Sequence, residues 1–265
     1  MKLNFLFFAF LFLFIQSCGD SPDIIIPEND TYMDENAYIP TSAEVKFEKL
    51  MENIDLNDSL RYGQSLSYNR PDGASVFVKI YVNDSNYTVK LFEEYTSPNS
   101  PSIQSNTFYF DKGILIATRE LFEEGTGDEG HFVERVTYYD EKEKPILTKR
   151  KVAAYEEELI YEPFTVAEKV ECSYKRAMKV INQEGEYETN FIEFIPEDPY
   201  LYLIVGENKK DGYYSSLVVQ MMTSLIKKLQ SDPEKHFGTP LNVTYEILNG
   251  EQGYEYQILM GVNEK

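Results

Sequence analysis

Val76-Phe77-Val78-Lys79-Ile80-Tyr81-Val82 and, after Asn83-Asp84-Ser85-Asn86, Tyr87-Thr88-Val89-Lys90-Leu91-Phe92 decide the fold class of this chain. Successive side chains of an extended strand point to opposite faces, so Val76, Val78, Ile80 and Val82 share one face, as do Tyr87, Val89 and Leu91. From about Leu60 to Tyr161 this alternation is interrupted by turn residues: Pro71-Asp72-Gly73, Ser97-Pro98-Asn99-Ser100-Pro101, Asp111-Lys112-Gly113 and Glu143-Lys144-Pro145. Short alternating strands joined by such turns predict an antiparallel β-meander. Phe108-Tyr109-Phe110-Asp111, a turn, then Ile114-Leu115 is echoed by Tyr138-Tyr139-Asp140, a turn, then Ile146-Leu147. Two copies are too few for a solenoid.

Helical patterns flank this region. Thr41-Ser42-Ala43-Glu44 fits a capping box, and Phe47, Leu50, Met51 and Ile54 follow at helical spacing. At Pro163 the pattern changes again. Thr165-Val166-Ala167-Glu168 reads as a second capping box, heading a helix through Val170, Tyr174, Ala177, Met178 and Ile181. Strands are expected over Phe191 to Ile195 and Leu201 to Val205. The widest apolar helical stripe is Leu217, Val218, Met221, Met222, Leu225, Ile226 and Leu229. Two closing strands, Val243 to Ile247 and Tyr254 to Val262, meet across Asn249-Gly250. The expected class is α+β: an N-terminal helix and antiparallel meander over residues 41–162, then a smaller α+β unit over 163–265 with helices on an antiparallel sheet.

The strand, helix and two-strand order from Glu188 to Val262, with Gly238-Thr239-Pro240 before a Tyr-bearing strand, resembles one module of the gyrase-inhibitor-like effector-binding domains. That resemblance implies a small-molecule cleft in the C-terminal unit and transfers no ligand residue.

The N-terminus carries an address. Lys2 precedes an apolar run from Leu3 to Ile15, and small Ser17 precedes Cys18. As a helix the run would span roughly 20 Å, short of the ~30 Å of a bilayer core. The order of basic, apolar and small residues is that of a secretory signal. Ile15-Gln16-Ser17-Cys18 resembles the lipobox of bacterial lipoproteins, with Ile15 where the family usually has Leu. The resemblance implies a signal over residues 1–17 and a mature chain starting at Cys18 with palmitate-type acyl chains. It also implies a site in the bacterial cell envelope, at the outer membrane, facing periplasm or surface. Residues 18–40, acidic and Pro-interrupted, read as a tether.

Composition narrows the partners. The 45 Asp and Glu against 25 Lys and Arg give a net charge of −20, and loss of Lys2 takes the mature chain to −21. Such a surface repels phosphate backbones, which excludes nucleic acid, and it disfavours anionic lipid. Membrane attachment therefore rests on the acyl chains. The expected partner is an envelope protein. There are two cysteines; with Cys18 acylated, Cys172 has no intrachain partner, and no Cys/His spacing suits zinc. No cofactor is expected.

Several constellations invite chemistry. Gly125-Thr126-Gly127-Asp128-Glu129-Gly130 matches the dinucleotide fingerprint in letters, but a strand follows it, and its two acids stand where phosphates would sit. Glu123, Glu124, Asp128 and Glu129 lack the ordered spacing of a calcium loop. His131 and His236 are the only histidines; no G-x-S-x-G elbow accompanies them, and Ser215-Ser216 read as helix-cap residues. A tyrosine-rich sheet face can stack on sugars or peptides, although half-buried tyrosine is ordinary in sheets. Met221-Met222 read as core, with an adaptable pocket as the rival. Cys172, on the expected helix among Lys169, Lys175, Arg176 and Lys179, is a candidate reactive thiol, since cations favour thiolate. The functional expectation is a non-catalytic, lipid-anchored binding or scaffolding protein. Its rivals are a small-molecule binder using the C-terminal cleft and a hydrolase of envelope polymers.

Overall fold

A computed structural model describes residues 41–98, 102–125, 130–250 and 255–265, all within one compact unit. The signal, Cys18, the tether and residues 126–129 of the glycine-rich loop lie outside the described residues.

Helix α1, Ser42–Asp55, starts where the capping box places it. The Glu44 amide donates to Thr41 Oγ1 at 3.2 Å, and the Thr41 amide donates to Glu44 Oε2 at 3.3 Å. Strands follow in chain order: β1 Arg61–Gln64, β2 Tyr68–Asn69, β3 Ser75–Val82, β4 Thr88–Thr96, β5 Ile103–Asp111, β6 Ile114–Glu124, β7 His131–Tyr139, β8 Pro145–Ala153 and β9 Thr165–Ala167. The rest of the chain forms α2 Lys175–Asn182, β10 Asn190–Glu197, β11 Tyr200–Gly206, β12 Tyr214–Val219, α3 Ser224–Ser231, α4 Pro233–His236, β13 Leu241–Asn249 and β14 Glu255–Glu264. The fold is α+β, with a large, mostly antiparallel sheet and few helices.

The sheet runs β10-β11-β12-β2-β3-β4-β5-β6-β7-β8-β9, with β1 on β3 and the β13–β14 hairpin joined to β12. Among the described residues only β12 and β14 pair in parallel. Local chemistry sets the hairpins. Between β5 and β6 only Lys112 and Gly113 remain, both with positive φ (51° and 86°), the two-residue turn whose twist matches the strands it joins. Between β7 and β8, Asp140 Oδ1 accepts the amides of Lys142 and Lys144 at 2.8 and 2.9 Å.

Two-residue β2 makes a fork. One of its neighbours, β3, continues onto β1; the other, β12, continues onto β14. Gln257 of β14 fills the fork. Its Nε2 donates to Ser215 Oγ and the Ser216 carbonyl, both at 3.0 Å, and its Oε1 accepts the Ser67 amide at 2.6 Å.

Each face of the sheet has its own apolar cluster. Phe47, Met51 and Ile54 of α1 pack on Tyr109, Ile116, Val136 and Tyr138. On the other face a larger cluster unites Leu91 and Phe108 with Leu203, Leu217 and Leu259, and with Ala177 and Val180 of α2 and Ile226 and Leu229 of α3. That core draws on residues from both sides of position 162.

The helices after Pro163 differ from expectation. Thr165–Ala167 is strand β9, laid on Thr148–Arg150 of β8, so the second capping box caps nothing and α2 begins only at Lys175. Leu217 and Val218 belong to β12, and the helix expected there begins at Ser224, capped by Thr223 Oγ1 accepting the Ile226 amide at 3.2 Å. The cause is tertiary: β12 pairs with β11 along its length, and those ladder hydrogen bonds outweigh the helical reading of an ambiguous apolar run. Ile226 and Leu229 are fully buried, whereas Leu225 only flanks the core.

Candidate functional site

Strands β10 to β14 have one face in the core and one face open. Phe194, Leu203, Leu217 and Leu259 point inward. The register then defines the opposite face. Ile195 pairs with Tyr202, Tyr202 with Val218, Val218 with Ile258 and Ile258 with Glu246, making one row across five strands. Val218 and Ile258 are buried in the middle of this row. Around them Ile195 (43% exposed), Tyr200 (50%), Leu248 (42%) and Tyr256 (39%) remain open, which marks a face that the described part of the chain leaves uncovered. The Tyr200 and Tyr202 rings meet edge-on with centroids 6.3 Å apart. Burial, with the Glu197 carboxylate beside it, pushes the Tyr202 hydroxyl pKa up.

Two cavities open on this face. One of about 700 Å³ has Glu193, Ile195, Ile204 and Tyr214 on its sheet side, with the β11–β12 turn and Phe237 on its rim. The other, about 640 Å³, is lined by Tyr200, Val218, Leu248, Tyr256 and Ile258. Volumes of this size suit a small ligand or a few residues of a partner chain.

A second polar constellation lies on the α2 side of the sheet. Glu93, Asn106, Glu120 and Arg135 stand in one cross-strand row. Arg176 of α2 grips Glu93 through two bonds of 2.7 and 2.9 Å, and Asn106 Nδ2 adds a third at 2.9 Å. Arg135 grips Glu120 through two bonds of 2.7 Å. The two carboxylates are about two strand spacings apart, roughly 10 Å. A bidentate guanidinium occupies both oxygens of each carboxylate, so the row is a set of side-chain clamps across the sheet and onto α2.

Cys172 sits at the edge of this row. It precedes α2 and is not on a helix among lysines, which corrects the expected placement. Burial pushes the thiol pKa well above its ordinary value of 9.0; the Glu120 and Glu93 carboxylates push it the same way, against weaker help from Arg135. A raised thiol pKa favours the protonated form in the folded state. Its contribution to stability is therefore full below pH 9 and is lost as pH rises beyond it. At pH 8 the folded protein should react with iodoacetamide about tenfold or more slowly than the urea-unfolded chain. Equal rates would show an open, ionisable thiol.

The other residues singled out in the sequence are dispersed. His131 opens β7 and faces Glu124 across the ladder at 3.2 Å, while His236 ends α4. Ser215 and Ser216 lie within β12 and not at a helix cap, and Ser215 Oγ is taken by Gln257. Met221 and Met222 are exposed and not in the core. Among the described residues no group of His, Cys, Asp and Glu is arranged to hold a metal, and no helix is long and apolar enough to cross a membrane.

Comparison with protein-family models, with curated proteins and with solved structures gave no match. Tyrosine pointed to a stacking sheet face in the sequence but not to its place on β10 to β14, because Leu217 and Val218 of β12 suit a helical stripe as well as a strand. A usable signal was present: none of the residues of β10 to β14 is Lys or Arg, in a chain with 25 of them.

Proposed function

We propose that the protein is a lipid-anchored component of the bacterial cell envelope with a non-catalytic binding role. It would be acylated at Cys18 and would offer the open face of β10 to β14 to an envelope protein. The uncovered tyrosine face with its two cavities is the observation that carries this reading, because an exposed apolar patch ringed by polar groups marks an interaction site. The lipobox resemblance supports the anchor. A fully extended chain the length of residues 18–40 spans at most roughly 80 Å, so the folded unit has room to meet partners beyond the bilayer surface. The division into an N-terminal meander and a C-terminal α+β unit belongs to the same reading, with the first as frame and the second as binding unit. The cavity of about 700 Å³ favours a second reading, a small-molecule site in the C-terminal unit.

Two measurements test the proposal. Cys18→Ser should move the protein from the membrane pellet to the soluble fraction; unchanged retention would refute the lipid anchor. A photo-crosslinking amino acid in place of Tyr256 should trap an envelope protein in cells, whereas the same group in place of exposed Tyr62 should not. Crosslinks at neither position, with a small metabolite co-purifying, would favour the second reading.

A further inference from the structure

Resting on that reading of the open face, we infer that its occupant is an extended basic segment of a partner polypeptide, with apolar residues between two cationic side chains. Charge supports this first. The ionisable carboxylates on the open face of the five strands are Glu193, Glu197 and Glu246, and no strand residue there is cationic. Lys209 and Lys210 stand only in the turn at the rim, where Glu207 and Asp211 accompany them. Lysine and arginine are instead concentrated elsewhere, as in Lys149, Arg150 and Lys151 of β8. A second copy of this acidic chain would set carboxylate against carboxylate, and an anionic lipid or nucleic acid would be repelled.

Geometry supports it second. Glu193 and Glu197 flank Ile195 at one end of the row, and Glu246 closes the other end. Four strand spacings separate the ends, about 19 Å. Six extended residues cover roughly that distance at ~3.3 Å each, and the apolar and aromatic middle of the row lies between the two charged ends. Tyrosine faces beside carboxylates attract ammonium and guanidinium groups by cation–π as well as ionic contact.

The probe is a dye-labelled, end-blocked hexapeptide of sequence Lys-Leu-Thr-Leu-Thr-Lys, titrated by fluorescence anisotropy into the full acylated protein in neutral detergent. The matched peptide has Glu in place of Lys. Two triple variants remove equal charge: Glu193→Gln, Glu197→Gln and Glu246→Gln on the face, and Glu156→Gln, Glu157→Gln and Glu158→Gln at the exposed turn after β8. The basic peptide should bind at least tenfold more weakly to the face variant, and within about twofold of wild type to the turn variant. The acidic peptide should not bind. Equal losses in both variants would mean a nonspecific acidic surface and overturn the inference. So would failure of the basic peptide to bind, or its displacement by equimolar spermidine, which would assign the face to small amines. A Tyr256 crosslink to a protein alongside a negative peptide titration would remove only the basic-segment inference; absence of the crosslink would remove the protein-binding role itself.

Discussion

Lys149→Ala should lower the stability of the folded unit by about 3–5 kcal/mol, the usual cost of removing one member of a buried ion pair. Only 6% of the Lys149 side chain and 1% of the Glu44 side chain are exposed, and Nζ lies 2.9 Å from Glu44 Oε1. Glu48 is a second, half-exposed partner, and the Tyr138 and Phe164 rings lie 5.4 and 4.7 Å from the ammonium. Truncation strips Glu44 of its lysine in a site with little water. Glu48→Gln should cost under about 1 kcal/mol, because that carboxylate reaches solvent. Burial opposes the Lys149 charge, but the hydrogen bonds that Nζ donates to Glu48 and Glu44 outweigh it and hold the pKa above the ordinary 10.5. A raised folded pKa gives stability that is complete below pH 10.5 and declines above it. The variant's deficit should therefore shrink above that pH. Urea melts at pH 7 and at high pH read both effects; a change under 1 kcal/mol at pH 7 would mean α1 is not clamped by this triad. The other end of α1 has its own clamp, where Asp55 receives Lys90 Nζ at 3.0 Å and the Tyr109 hydroxyl at 2.9 Å.

Arg176→Ala should cost less, about 2–3 kcal/mol, because the Arg176 side chain is 37% exposed and water can reach the site it leaves. Glu93 is 1% exposed in its side chain and would keep only Asn106 of the partners described above. The guanidinium also lies 3.7 Å above the Tyr95 ring, a contact worth roughly 0.5–2 kcal/mol. Arg176→Lys should recover only part of the loss, since an ammonium cannot make the two-pronged bond. Glu93→Gln in the Arg176→Ala background should regain stability, because it removes the stranded charge. If the double variant were no more stable than Arg176→Ala, packing of α2 and not charge pairing would be the source. Circular dichroism melts of the three variants decide it.

The local elements were legible from residue order. The alternation in β3 and β4 has a period that only a strand satisfies, and Lys112-Gly113 demands the tight turn found between β5 and β6. Thr41 and Glu44 cap α1 through contacts three residues apart, and the face bearing Met51 and Ile54 follows from helical spacing. These signals are short-range, so a single window of sequence contains both partners.

Tertiary structure decided the rest. Leu217 and Val218 suit a helix stripe or a buried strand equally well, and pairing with β11 made them strand. Val166 was drawn onto β8 in the same way. Lys149 is 105 residues from Glu44, and Arg176 is 83 from Glu93, so no local pattern announces either pair. The open face is assembled from Ile195, Tyr202, Val218, Ile258 and Glu246, which come from five strands. Sequence by itself determined which residues alternate, which turns close and that the chain is acidic. Which alternating faces are covered and which stay open depends on long-range register, because covering a face requires another element to arrive from far along the chain.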